Sequence, residues 1–211
     1  MMINPILTVA NVRLIEQQVN KILNSKSLSK DPEILSAVKG IAVAELKEKL
    51  PVATEEILRA VTQISDRTDA ELFIESLKIY TIPFKAISEK GLQKLFRKDK
   101  KLKLPKLETI DWHGISYLSW TDQGTHRQYI VIEKDGTFIA LRGISQPQYY
   151  TKGICAICNQ HGPVHLFTAT VKGNEDRYTS YSNYICDDPE KCNAHVTDYK
   201  VLEDFVTRNL V

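Results

Sequence analysis

Apolar residues in the first part of the chain recur at intervals of three and four, the spacing of a helix with one buried face. Asp31, followed by a proline, and Thr54, followed by two glutamates, are N-cap signals that predict the starts of a second and a third helix. Thr68 or Asp69 predicts the start of a fourth. Because short connections join these helices, we predict an antiparallel helical bundle over residues 1–80.

The pattern changes beyond Pro105, where thirteen of the seventeen aromatic residues lie. Aromatic residues favour strands, and GISYLSW alternates between apolar and polar positions. RQYIVIEKDGTFIALRG predicts a β-hairpin that turns at Asp135 and Gly136. PVHLFTATV and RYTSYSNYIC predict a second hairpin around KGNED, and TDYKVLEDFVTRN predicts a final amphipathic helix. We therefore predict a mixed α/β domain over residues 81–211.

The four cysteines fall as C-x2-C and C-x5-C, separated by 27 residues. Cys155 and Cys158 lie in a polar, glycine-containing segment, whereas Cys186 ends a predicted strand and Cys192 comes just before the last helix. A C-x2-C turn presents two thiolates to one ion, and structural zinc takes four tetrahedral ligands. The pattern outlines a treble-clef zinc finger over about residues 150–211. The predicted fold class is thus α+β: a helical bundle followed by a mixed α/β domain that ends in this finger.

Other uses of the cysteines fit the pattern less well. A thioredoxin-like redox pair belongs at the start of a helix in a βαβ unit, but hairpins surround this pair. A catalytic zinc needs an open coordination position, which four thiolates would fill. His161 and His195 could replace a cysteine as ligand, although with four thiols present we expect them near the site or at the surface. Unpaired cysteines placed by chance remain the simplest alternative.

The overall composition of the chain does not indicate any class of binding partner. The net charge is +2 and charged residues make up 26% of the chain, which is ordinary for a globular protein. The start of the chain lacks a basic segment followed by an apolar run, and no apolar stretch approaches the roughly 18 residues of a membrane span. We expect a cytoplasmic protein with reduced thiols.

Positive charge is concentrated in residues 90–106, which contain eight lysines and arginines and one aspartate. Such a run suits a polyanion such as ribosomal RNA, although charge runs are commonly solvated surface. The leucines and the phenylalanine between the charges indicate that part of the segment packs inward. The cations that could contact RNA are Lys94, Arg97, Lys98, Lys100, Lys101 and Lys103.

Several motifs together resemble a known family, the elongation factor G-binding proteins of the FusB type. These motifs are KGICAIC, NYICDDPEKCN, LQKLFRKDKKLKLP and SYLSW. The resemblance is tightest from residue 90 onward. It implies a non-enzymatic protein whose zinc finger binds the C-terminal domains of elongation factor G. Binding would release the factor from the ribosome, where fusidic acid has trapped it, and so give resistance to the drug.

The resemblance also implies where the partner is bound. Tyr184, just before the second cysteine pair, and Phe205, on the final helix, match aromatic contact positions of the family. Ile154 and Tyr181 stand at two further contact positions, where relatives carry an aromatic residue and a lysine. Phe205 could equally lie on the buried face of its helix and pack on the zinc finger. Tyr184 should be exposed and Ile185 buried, because neighbours on a strand point to opposite faces.

A zinc-finger protein that acts directly on ribosomal RNA is the competing hypothesis. An enzyme is disfavoured, because no acid–base pair or nucleophile–base spacing stands out and no residue is assigned a catalytic role. We expect one structural zinc ion, no small-molecule substrate and no association with a membrane.

Overall fold

The structure is a computed structural model that describes residues 5–172 and 178–210; the side chains of Pro147 and Lys172 are also left undescribed. The chain divides into two compact units, Met1–Ile82 and Pro83–Val211. No helix among the described residues is long and apolar enough to cross a membrane.

The first unit consists mainly of helices. A short strand precedes the first helix, and its partner follows a 3-10 helix at Leu77–Tyr80. The elements in chain order are β1 (Leu7–Thr8), α1 (Val9–Leu28), α2 (Pro32–Lys49), α3 (Glu55–Gln63), α4 (Arg67–Ser76) and β2 (Thr81–Ile82). Strands β1 and β2 pair in parallel, a long-range contact that the helical pattern did not predict.

Side chains cap these helices where the sequence signals it, with one exception. Asp31 accepts a hydrogen bond from the Glu33 N–H at 2.8 Å, and Thr54 accepts one from the Ile57 N–H at 3.4 Å. The predicted start of the fourth helix is wrong. Asp66 is its N-cap and accepts from the Asp69 N–H at 2.9 Å, so that Asp69 lies inside the first turn.

The core of this unit is built from aliphatic side chains on all four helices. Leu14, Ile15 and Val19 of α1 are at most 2% exposed, and Leu46 of α2 and Val61 of α3 are fully buried. These residues form one continuous cluster. The periodicity that predicted the helices therefore also identifies the residues that hold them together.

The second unit is a five-stranded antiparallel sheet with three short helices. Its strand order is the same as the order along the chain. The elements are α5 (Glu89–Leu95), β3 (Leu118–Asp122), β4 (Arg127–Lys134), β5 (Thr137–Ile154), β6 (His161–Lys172), β7 (Tyr178–Cys186), α6 (Pro189–His195) and α7 (Tyr199–Arg208), with a 3-10 turn at Leu107–Thr109.

The first predicted hairpin is confirmed. Strands β4 and β5 pair from Lys134 and Thr137 outward, and both turn residues have positive φ, 50° at Asp135 and 75° at Gly136. This is the backbone that a two-residue hairpin turn requires. Strands β6 and β7 also pair, as predicted, but residues 173–177 of the KGNED connection lie outside the described residues.

Helices pack on opposite faces of this sheet. On one face, α7 contacts the sheet through Phe205, whose ring lies 6.1 Å from that of Phe167. On the other face, Phe96 at the end of α5 lies against Tyr129 and Trp120, with ring centroids 4.9 and 5.7 Å away. The second face is covered mainly at β3 and β4, which leaves its β6–β7 side open around Tyr184.

Candidate metal centre

The four cysteines converge from three elements. Cys155 and Cys158 lie in the turn after β5, Cys186 is the last residue of β7, and Cys192 lies in α6. Their sulfur atoms all lie within 4.8 Å of one another, and no other such group of potential ligands occurs within the described part of the chain. The thiols are free, and only the Cys186 residue is more than marginally exposed.

The spacing of the sulfur atoms fits a tetrahedral zinc ion. The Sγ atoms of Cys155 and Cys192 are 3.7 Å apart, as are those of Cys158 and Cys186. Zinc–sulfur bonds of about 2.3 Å place the corners of a regular tetrahedron about 3.8 Å apart. These four residues would therefore hold one zinc ion without moving far, and they would fill its coordination sphere.

Backbone geometry supports the turn that carries the first two cysteines. The Cys155 N–H donates to the Gln160 carbonyl at 3.0 Å, and the Asn159 N–H donates to the Cys155 carbonyl at 2.9 Å. Asn159 has a φ of 56°, a left-handed conformation that asparagine tolerates better than most residues. The N–H groups of Ile157 and Cys186 point at the Cys155 Sγ atom, at 3.4 and 3.3 Å, and favour its thiolate.

The four thiols oppose one another's ionisation because they lie so close together. Hydrogen bonds from the other thiols, that of Cys158 first, lower the pKa of Cys155 far below its usual range. The interaction with Cys155 in turn raises the pKa values of Cys186 and Cys192 far above theirs. Zinc binding would therefore release protons and supply the charge that lets four thiolates coexist.

A layer of hydrogen bonds behind the cysteines joins α6 to the sheet. The Asn193 carboxamide oxygen accepts from the N–H groups of Ser116 and Tyr117, at 2.7 and 3.2 Å. Its nitrogen donates to the carbonyls of Tyr117 and Pro189, both at 3.1 Å. The buried Tyr117 hydroxyl bonds to Cys192, and burial raises its pKa well above its usual value. Sequence reasoning missed both residues, because nothing local links positions 76 residues apart.

The surroundings of Cys192 differ in one respect from the prediction. Cys192 is not in a connection before the last helix but inside a short helix of its own, α6, capped by Asp188. His195, at the end of that helix, contacts the Lys191 carbonyl through Nδ1 at 2.7 Å and is exposed. His161 is also exposed and, like His195, is not among the clustered ligands.

Two of the four residues expected to contact a protein partner, Tyr184 and Ile154, lie beside the zinc turn. Tyr184 is 42% exposed and Ile185 1%, as their alternation on the strand predicts. The Tyr184 carbonyl accepts from the Ala156 N–H at 2.8 Å, which ties this strand to the turn between Cys155 and Cys158. Ile154, at the start of the turn, is 65% exposed.

Tyr181 lies on the opposite face of β7 from Tyr184, the face of the sheet on which Phe205 of α7 packs. Tyr181 is 37% exposed and, with Asn183, Arg208 and Asn209, lines a depression of about 380 Å³. Phe205 is fully buried against Phe167. Of the two roles that the sequence allowed, packing in the core or contact with a partner, the structure places it in the core. The Asn209 carboxamide nitrogen donates to the Phe205 carbonyl at 2.7 Å. Phe205 therefore supports this surface from beneath and does not belong to it.

The comparisons with known proteins cover nearly the whole chain. Residues 6–85 match the family described as "Elongation factor G-binding protein, N-terminal". Residues 91–208 match "FBP C-terminal treble-clef zinc-finger". A solved structure, "Structure of the fusidic acid resistance protein FusC", is similar with a TM-score of 0.82 and 28% identity over 98% of each chain. No curated protein matches the chain.

These matches bear on two predictions made from the cysteine pattern. The fold class is confirmed: helices are followed by a mixed α/β part that ends in a treble-clef zinc finger. The zinc cofactor is confirmed as well, because the matching family is a zinc finger and the four thiols are arranged to bind one ion. None of these matches supports direct action on RNA.

Proposed function

Because this chain belongs to the elongation factor G-binding protein family, we propose that it binds elongation factor G through its zinc-finger unit and promotes the release of that factor from the ribosome. The family assignment agrees with the resemblance carried by the cysteine and lysine-rich motifs. Release in the presence of fusidic acid would make the protein a resistance factor, as the similar protein FusC is described to be.

The observation that carries this proposal is the similarity to FusC over the full length of both chains. A match limited to the finger would be compatible with many functions, because zinc fingers of one fold serve different partners. Here the helical unit and the finger both match, and they occur in the same order.

The contact surface that we propose is centred on Tyr184 and includes Ile154 and Tyr181. Binding energy at protein interfaces is concentrated in a few residues, and tyrosine is enriched among them. Tyr181 and Tyr184 lie on opposite faces of β7, the last strand of the sheet. A partner that touches both must therefore reach around the outer edge of this strand.

We infer that the protein acts by binding and not by catalysis. Four cysteine ligands leave no coordination position for a substrate or an activated water. The expected site of action is the cytoplasm, where elongation factor G and the ribosome meet.

Titration calorimetry with purified elongation factor G and GDP, in the absence of ribosomes, tests the binding step. We expect a stable one-to-one complex. Sedimentation of ribosomes loaded with elongation factor G and fusidic acid tests the release step, and the factor should move to the supernatant when the protein is added. The proposal fails if the protein binds the factor neither free nor on the ribosome.

A further inference from the structure

The lysine-rich segment after α5 is an ordered loop fixed to the sheet. The Asp99 N–H donates to the Phe96 carbonyl at 2.8 Å, and the Leu102 N–H donates to the Asp99 carbonyl at 3.1 Å, which makes two consecutive tight turns. Phe96 is buried, and Leu102 and Leu104 pack against the same core cluster. The segment therefore follows a defined path along the sheet.

The single acidic residue of the loop points inward. The Asp99 side chain is 4% exposed and pairs with Arg142 at 2.7 Å and Arg127 at 3.4 Å, both on the sheet. Lys103 is bound as well, because its Nζ atom lies 3.3 Å from Asp122. Lys103 therefore helps to hold the loop on the sheet. The other cations that were predicted from the sequence to contact RNA do not have this role.

The remaining cations of the loop face the solvent. They are exposed, and none forms an ion pair with another described residue. These residues, called the cationic loop below, are Lys94 in the last turn of α5 and, after the helix, Arg97, Lys98, Lys100 and Lys101. Beside them, Arg97, Lys98 and Arg142 line a depression of about 230 Å³ between the loop and β5.

Holding the backbone that carries five like charges in one place opposes their mutual repulsion, which a flexible loop would relieve. The buried Phe96, the packing of the partly buried Leu102 and the ion pairs of Asp99 hold this backbone nonetheless. Preorganised cations without carboxylate partners complement a regular array of negative charges, and the phosphate backbone of RNA is such an array. The carboxylates of an acidic protein surface are scattered, whereas the phosphates of RNA follow one another at a regular spacing, so RNA is the better match to this row of cations.

We infer that the cationic loop is a binding surface for the phosphate backbone of RNA, separate from the Tyr184 surface. This inference does not depend on the proposed binding of elongation factor G. The contact is not sequence-specific, because charged side chains that reach phosphates position a protein without reading bases.

A fluorescence anisotropy titration with a short labelled RNA duplex tests the inference. The variant Lys98→Gln/Lys100→Gln/Lys101→Gln should bind at least roughly tenfold more weakly at low salt. The slope of log affinity against log salt should become shallower by roughly 0.7–0.9 for each lost phosphate contact. The matched control, Lys30→Gln/Lys39→Gln/Lys47→Gln, removes the same charge from the other unit and should stay within about twofold of wild type.

A second variant tests whether RNA binding needs the ordered position of the loop or only its positive charge. Asp99→Ala makes the protein more positive but releases the two arginines and the loop, so we expect weaker RNA binding by at least about threefold. Near-ultraviolet circular dichroism and zinc content show whether each variant is folded. Stronger binding by Asp99→Ala would overturn the inference, because net charge would then suffice.

Three further outcomes would also overturn it: no binding of the duplex by the wild-type protein, equal losses in the loop variant and its control, or an intact RNA affinity in the loop variant. If the loop variant instead loses affinity for elongation factor G and keeps that for RNA, the cationic loop belongs to the protein interface. Titration of both variants with elongation factor G therefore accompanies the RNA experiment.

Discussion

Tyr184 combines a large exposed ring with a fixed backbone next to the zinc turn, the properties of an interface anchor. Tyr184→Ala should weaken binding of elongation factor G by about 2 kcal/mol, roughly thirtyfold in Kd. Titration calorimetry gives the Kd, and thermal unfolding should be nearly unchanged because the ring is outside the core.

Tyr178→Ala is the matched control for this variant. Tyr178 is 66% exposed on the same face of the same strand, but at its other end. We expect little change in Kd. Equal losses from both substitutions would place the contact along the whole strand and not at the zinc turn.

Asn193 uses both ends of its carboxamide to join α6 to the start of β3. The residue is 4% exposed and makes four hydrogen bonds to backbone groups. Asn193→Ala should destabilise the second unit by roughly 3 kcal/mol, because it leaves buried backbone donors and an acceptor without partners. Chemical denaturation of the zinc-loaded protein measures the loss of unfolding free energy. As a control, Asn24→Ala should leave the unfolding free energy almost unchanged, because Asn24 is exposed. A neutral Asn193→Ala would mean that water replaces the carboxamide.

At the scale of whole elements, helix starts and turns with a local sequence signal could be predicted, whereas pairing between distant segments could not. Asp31 and Thr54 lie next to the helices they cap, and Asp135-Gly136 forms its own turn, so each could be identified from a few neighbouring residues. Asp66 was missed because several capping residues occur close together, and the choice among them depends on packing. The pairing of β1 with β2 joins residues more than 70 positions apart and has no local signal.

In the candidate site, too, the features with a local sequence signal could be predicted and the long-range contacts could not. Cysteine spacing alone identified the group of thiols, because a zinc turn is a local structure. The burial of Phe205 could not be decided from the sequence, since its helix shows an apolar stripe whether or not one residue also contacts a partner. The role of Asp99 was equally hidden, because the arginines that bind it lie 28 and 43 residues away.

Strand β5 passes close to Phe167 only because it has a glycine at position 143. A Cβ atom there would lie 2.4 Å from the Phe167 ring and 2.7 Å from the Thr168 carbonyl oxygen. Gly143→Ala should therefore cost about 1–3 kcal/mol of unfolding free energy by displacing the ring on which α7 packs. Gly162→Ala on β6, where a Cβ meets nothing within 4 Å, is the control for denaturant unfolding. Equal stability of the two variants would show that the sheet adjusts without strain.

At the scale of the molecule, zinc should stabilise one unit and not the other. The four thiols lie in the second unit, and the first has its own aliphatic core. Chelation of zinc should therefore unfold the second unit and leave most of the helical signal. Both tryptophans, Trp112 and Trp120, belong to the core of the second unit, so their fluorescence reports on it selectively. Cooperative loss of both signals would contradict this independence.

Translation in vitro with fusidic acid tests what the molecule does as a whole. If the protein releases elongation factor G, wild-type protein should restore synthesis in proportion to its concentration, and Tyr184→Ala should require roughly thirtyfold more. Cys186→Ser should fail, because loss of one ligand removes the zinc on which the finger depends. The cationic-loop variant should keep its activity on free elongation factor G but act more slowly on ribosomes at low salt, since steering by charge raises association rates. If wild-type protein leaves inhibition by fusidic acid unchanged while binding free elongation factor G, binding and release are separate properties, and only the first belongs to this chain.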